Sequence, residues 1–103
     1  MKFEQPGRLR TDSAALSDEH FAAFRRAVID QFIPAAVRHT TQPGSAWPNG
    51  LRVKRVQGAP GVWEMTWSFA GPDGRATFEW IEIDSEPAIR WRRVGDHAIF
   101  SHP

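Results

Sequence analysis

Val62 to Phe69 alternates without a break: Trp63, Met65, Trp67 and Phe69 fall on one side of an extended chain, and Glu64, Thr66 and Ser68 on the other. After Gly71-Pro72-Asp73-Gly74, a run that favours a tight turn, Ala76, Phe78 and Trp80 alternate with Arg75, Thr77 and Glu79. Such a hairpin exposes a wall of Trp, Met and Phe on one face, so the rest of the chain must cover it. Pairing Trp67 with Phe78 sets Met65 against Trp80 and Phe69 against Ala76. The same register puts Ser68 beside Thr77 and Thr66 beside Glu79, whereas a one-residue slip would mix the faces.

The cover comes from the N-terminal half. Ser17 is placed to cap a helix, with Asp18 and Glu19 where the helix dipole favours negative charge. Phe21, Phe24, Val28 and Phe32 recur at helical spacing and form one apolar stripe, with Arg25, Arg26 and Asp30 off it. Pro34 is expected to end or kink this helix, and Ala35 to His39 to continue it or add a short second one. His39 reads as an exposed helix-end residue. Thr40 to Gly50 is a loop rich in Pro and Gly, and a strand pattern begins at Leu51. Glu82, Asp84 and Glu86 read as a solvated loop, followed by a last strand from Ala88 to Val94. Residues 1–16 look weakly structured, with room for one short strand, and residues 101–103 form a tail in which His102 is expected to be disordered. This order predicts an α+β fold: one or two N-terminal helices packed on one face of a three- or four-stranded antiparallel sheet, the opposite face polar and open.

With 103 residues there is room for a single domain over 1–103 and one core. There is no cysteine, which excludes disulfides, thiol catalysis and thiolate metal sites. The formal net charge is only +1, so any nucleic-acid footprint must be a local patch. No apolar run approaches the ~20 residues of a membrane span, and the N-terminus lacks a signal-peptide pattern, so a cytoplasmic protein with no membrane partner is expected. Nucleotide-binding glycine fingerprints and metalloprotease motifs are missing, and the four histidines are scattered, so no metal and no cofactor are expected.

Chemistry concentrates in Ile89 to Phe100, where Arg90, Arg92 and Arg93 precede a Gly95-Asp96 turn and His97. Histidine titrates near neutrality and is the side chain best poised to move protons. Arg52, Lys54 and Arg55 form a second basic group. RNA cleavage without a metal needs a base for the 2′-OH proton, cations for the charge on phosphorus, and an acid for the leaving 5′-oxygen. His97, Arg75 and Glu64 are the catalytic candidates. Arg52, Lys54, Arg55, Arg90, Arg92 and Arg93 are the RNA-binding candidates, and Phe100 or Trp91 would stack on a base. The same residues also fit a solvated strand face, with Glu64 and Arg75 as a cross-sheet ion pair.

Four blocks taken in order, Leu51 to Gly58, Gly61 to Met65, Gly74 to Phe78 and Arg93 to Phe100, resemble the RelE/ParE toxin superfamily. The last block is most similar to its YafQ-like branch, in which a Gly-x-His turn ends in an aromatic residue. The resemblance spans roughly residues 17–100. It implies a toxin of a type II toxin–antitoxin system that cleaves mRNA on the ribosome, inhibits translation and is neutralised by a cognate antitoxin protein. By the same resemblance His97 matches the terminal catalytic histidine, Phe100 the aromatic residue after it, and Arg75 the arginine after the central turn. Lys54 and Arg55 match the basic strand, and Glu64 a position often acidic. The superfamily's first strand is not evident in this sequence, Gly74 precedes Arg75 where relatives carry Tyr, and Met65-Thr66 replaces Leu-Arg. The superfamily also contains gyrase inhibitors without RNase activity, so a non-nuclease toxin, or an inactivated relative that only binds an antitoxin, is the alternative.

Overall fold

The computed structural model describes residues 1–68 and 74–103, so Phe69 and the turn residues 71–73 invoked above lie outside the described residues. The chain is α+β. Five strands, β1 (Lys2–Glu4), β2 (Lys54–Arg55), β3 (Trp63–Ser68), β4 (Gly74–Ile83) and β5 (Glu86–Gly95), form one sheet in the order β1-β5-β4-β3-β2. β1 runs parallel to β5 and the other neighbours are antiparallel. The sheet is therefore five-stranded and mixed, where three or four antiparallel strands were expected. Strand β1 spans three residues, too short to leave a period-two signature, and β2 holds only two residues of the strand pattern read from Leu51.

The segment read as weakly structured holds β1 and also helix α1 (Gly7–Ala15). Only Leu9 of this helix is buried, so there was no apolar stripe to announce it. Helix α2 (Asp18–Ala27) starts at Ser17, whose hydroxyl accepts the His20 N–H at 3.1 Å, as the capping argument requires. Phe24 and Phe32 face the core, but Phe21 is 41% exposed, so the buried stripe begins one turn later than expected.

Pro34 does not end the helix. Val28–Phe32 form a π-helical turn in which Ile33 N–H reaches back to Val28 O, and α3 (Ile33–Thr41) follows directly. Proline has no N–H, and its ring crowds the carbonyl four residues earlier. A turn widened by one residue just before it lets the helical path continue.

Phe32 is fully buried, with its ring 4.9 Å from Phe78, 4.8 Å from Trp91 and 5.4 Å from Trp47. Trp91 is thus a core residue and is not available to stack on a base. Met65, Ala76, Ile89 and Val94 complete the same apolar side.

The β3–β4 register differs from the one predicted. Phe78 pairs with Trp63, Ala76 with Met65, Thr77 with Glu64 and Arg75 with Thr66, a four-residue offset from the Trp67–Phe78 pairing. An even offset keeps every side chain on its predicted face, so the apolar pattern alone could not distinguish the two registers. Trp67 decides it. Its indole lies where a side chain on Gly74 would be, since a Cβ there would come within 2.3 Å of the ring, and its Nε1 donates to Arg75 O at 2.9 Å. The acidic run is likewise no loop: Ile83 pairs with Glu86 across Asp84 and Ser85, both with positive φ, the backbone of a tight two-residue hairpin. Among the described residues no helix is long and apolar enough to cross a membrane.

Candidate functional site

Alternation places Lys54, Glu64, Thr66, Arg75, Thr77, Glu79 and Arg90 on the sheet face away from Phe32. One row crosses four strands as Lys54, Glu64, Thr77 and Arg93. The next row, towards the β3–β4 turn, is Thr66, Arg75 and Gly95. β5 carries one extra residue between its partners for Thr77 and Phe78, so Arg92 and Arg93 sit side by side at a bulge.

This face is not open. Thr77 is fully buried, and Thr66 and Arg75 are 3% and 8% exposed. The arginines of β5 are engaged. Arg90 donates to Glu4 at 2.9 Å and to Glu79 at 3.0 Å, and Arg92 stands 3.6 Å from the other oxygen of Glu79. Arg93 grips Asp12 with two nitrogens, at 2.5 and 3.1 Å. The hydrogen bonds it donates to Glu4, then to Glu79, raise the pKa of Arg90 above its ordinary value, and those Arg93 donates to Asp12 do the same for Arg93 against partial burial. Asp12 also accepts Val94 N–H at 3.2 Å, where β1 has already ended and the edge of β5 would otherwise go unpaired.

The first basic group is spread out. Arg52 follows the short 3₁₀ turn Asn49–Leu51 in a left-handed conformation. Lys54 lies 3.9 Å from Glu64, and the Arg55 guanidinium sits 5.2 Å from the centre of the Trp63 ring. Glu64 makes an ion pair with Lys54, on the outer strand β2. β2 lies three strands from β5, roughly 14 Å at ordinary spacing.

His97 opens the 3₁₀ turn His97–Ser101, which Asp96 caps by accepting Ala98 N–H at 2.8 Å. It is exposed, on the solvent side and not beneath the helices, with its ring 5.1 Å from that of Phe100 in an edge-to-face contact. Its position two residues beyond Gly95, the strand partner of Arg75, makes Arg75 its nearest catalytic candidate by register. Glu64 belongs to the row two residues further along β4 and one strand further out.

Two other histidines depart from expectation. His39 is not an exposed helix end: its ring stacks against Trp47 at 5.7 Å and Trp80 at 5.5 Å, and its Nδ1 is buried without a hydrogen-bond partner. His102 is ordered, its main-chain oxygen accepting from Arg8 and Arg93. Asp12 and Arg8 were missed because α1 gave no signal. A recess lined by Asp12, Ser17, His20, Trp67, Arg93 and Asp96 opens beside the His97 turn, and its walls come from segments too far apart in sequence to be associated by any spacing. Set against protein-family models, curated proteins and solved structures, the chain matches none of them.

Proposed function

We propose that the protein is a toxin of RelE/ParE type acting as a metal-independent endoribonuclease, with mRNA on the ribosome as substrate and a cognate antitoxin as its cytoplasmic partner. The observation that carries this reading is the exposed His97, its ring against half-buried Phe100, standing just past the strand position opposite Arg75. Further support comes from β1, a first strand of the kind the resemblance implies and the sequence hid. In the reaction, a base removes the 2′-OH proton, the 2′-oxygen attacks the adjacent phosphorus, and the 5′-oxygen leaves with a proton. His97, exposed to solvent, serves as the proton-transfer residue. Arg75 holds the charge that builds on phosphorus, and Phe100 offers a ring face to a splayed base. Glu64, tied to Lys54, acts through that cation on the phosphate path rather than as the base beside His97.

Induced expression in a bacterial host, with translation extracts made from it, tests this directly. Growth arrest with mRNA cut at defined positions, both lost in His97→Ala, is the expected result. Because His97 is exposed, that variant keeps its fold, so intact mRNA with the wild-type chain would overturn the reading. One observation favours the second reading, a gyrase-inhibiting or antitoxin-binding relative without nuclease activity: every arginine of β5 already holds a carboxylate. Blocked DNA supercoiling beside uncut mRNA would select gyrase inhibition.

A further inference from the structure

Phe21 belongs to the apolar stripe of α2 by spacing, yet the fold leaves it 41% exposed, and Ile29, eight residues on, is 49% exposed. Both line a groove of about 310 Å³ whose walls also include Leu9 of α1, Phe24, Val28 and Trp91. Arg25 is the one charged side chain that lines it among the described residues. It is exposed and stands four residues from each of Phe21 and Ile29, so the three share one side of the helix. Among the described residues Arg25 makes no ion pair, nor does Arg26 beside it or Arg10, which follows Leu9. The arginines of β5, by contrast, all hold carboxylates.

Large apolar side chains gathered around one recess and rimmed by charge mark a surface that another chain covers. The charge says what kind of chain. A purely apolar cover would desolvate the Arg25 guanidinium with no partner, which costs more than the apolar contact returns. A second copy of this chain fits no better. Laid antiparallel across a two-fold axis, it would set Phe21 against Ile29 and Arg25 against Arg25, burying like charges at the centre. The cover must therefore bring its own carboxylate. One wall runs from Phe21 to Ile33, about 18 Å at helical rise, the length of roughly three turns. An amphipathic helix fills such a groove with apolar anchors at helical spacing.

We propose that this groove docks an acidic amphipathic helix of a partner protein, with apolar anchors between Leu9, Phe21 and Ile29 and a carboxylate on Arg25. The inference rests on the surface between α1 and α2 and requires neither His97 nor RNA, so it stands apart from the nuclease reading.

The probe is a synthetic amphipathic peptide of about four helical turns, with Leu at helical spacing flanked by Glu. A second peptide carries Lys in place of each Glu. The full chain is titrated with each, following backbone amide signals by NMR. Saturable shifts at Leu9, Phe21, Arg25 and Ile29 are expected with the Glu peptide, and binding at least about ten-fold weaker with the Lys peptide. Ile29→Ser should weaken the Glu peptide about ten-fold or more, and Arg25→Glu should reverse the preference in favour of Lys. Both replaced side chains are exposed, so signals from the sheet should stay as in the wild type. Absence of saturation, equal affinity for the two peptides, or an unchanged preference in Arg25→Glu overturns the proposal. So does self-association of the wild-type chain that Ile29→Ser abolishes, which would assign the groove to a second copy. Ile29 lies outside the proposed catalytic residues, so docking and mRNA cutting are read independently in the same variant.

Discussion

The two faces of this sheet are sealed by different physics. On one, Phe32, Phe78, Trp91 and Met65 exclude water through apolar area and close packing. On the other, fully buried Thr77 and nearly buried Arg75 and Thr66 lie under a cover held by directed contacts: Arg92 and Arg93 to the main-chain oxygens of residues 102 and 103, and Arg93 to Asp12. Apolar burial tolerates no hole but needs no particular partner. The polar cover is specific to its partners, because each contact needs a donor and an acceptor in place. The first face makes the fold, and the second fixes which segments lie against it.

The largest effect belongs on the apolar face. Phe32→Ala empties the centre of a ring cluster formed by Phe78, Trp91 and Trp47, and should lower unfolding free energy by about 3–5 kcal/mol. That is a large share of the roughly 5–15 kcal/mol typical of a domain. Urea unfolding checks it. A loss below that of a surface substitution would mean the two faces are not as unlike as described. Gly74→Val probes the same side by overfilling, since its branched side chain must displace the Trp67 ring. It should cost about 1–3 kcal/mol and disturb the indole N–H signal that reports the bond to Arg75 O.

The apolar side was also the more legible from sequence. Trp63, Met65, Phe78 and Trp80 revealed the faces, and Ser17 revealed where a helix begins, because period and capping are local signals. Register was not legible, since an offset of four preserves the faces and only Gly74, by admitting Trp67, selects one. Whether Ala35 to His39 continued the helix past Pro34 was left open by the sequence, because the π-turn that lets it continue leaves no compositional mark. On the polar side the sequence supplied the right arginines but not their partners. Asp12 and Glu4 lie some eighty residues from the guanidiniums they hold, in a segment whose single buried apolar residue, Leu9, gives no periodicity. His97 was legible as a residue, and its exposed position beyond Gly95 was not, because the turn after a strand takes its direction from capping by Asp96 and burial of Ile99.

The polar face yields a graded pair of tests. Asp12→Ala removes both oxygens from Arg93 and leaves Val94 N–H unpaired. With Asp12 15% and Arg93 20% exposed, the pair is sheltered, and the loss should be about 1–3 kcal/mol. The pH dependence has a definite sign. Arg93 has its pKa raised in the folded state, so its contribution is fully present below the ordinary arginine range and is lost only as pH rises past the folded value. The arginine side of this pair therefore adds no pH dependence between about pH 6 and 9, and unfolding curves of wild type and Asp12→Ala should stay parallel there.

Lys2 and Asp84 provide the weakest test and the sharpest contrast. They join β1 to the β4–β5 hairpin turn with the same charges as the Asp12 pair, but their side chains are 55% and 77% exposed. Water screens such a pair, and fixing two mobile side chains offsets most of its attraction, so Lys2→Ala should cost no more than about 0.5 kcal/mol. Raising salt to about 1 M shortens the screening length to roughly 3 Å and should erase even that difference, while the cost of Asp12→Ala persists because it includes unpaired, sheltered groups. Equal salt sensitivity in the two variants would mean that the polar face is held by long-range charge alone. Its donors would then not be preorganised for any particular ligand.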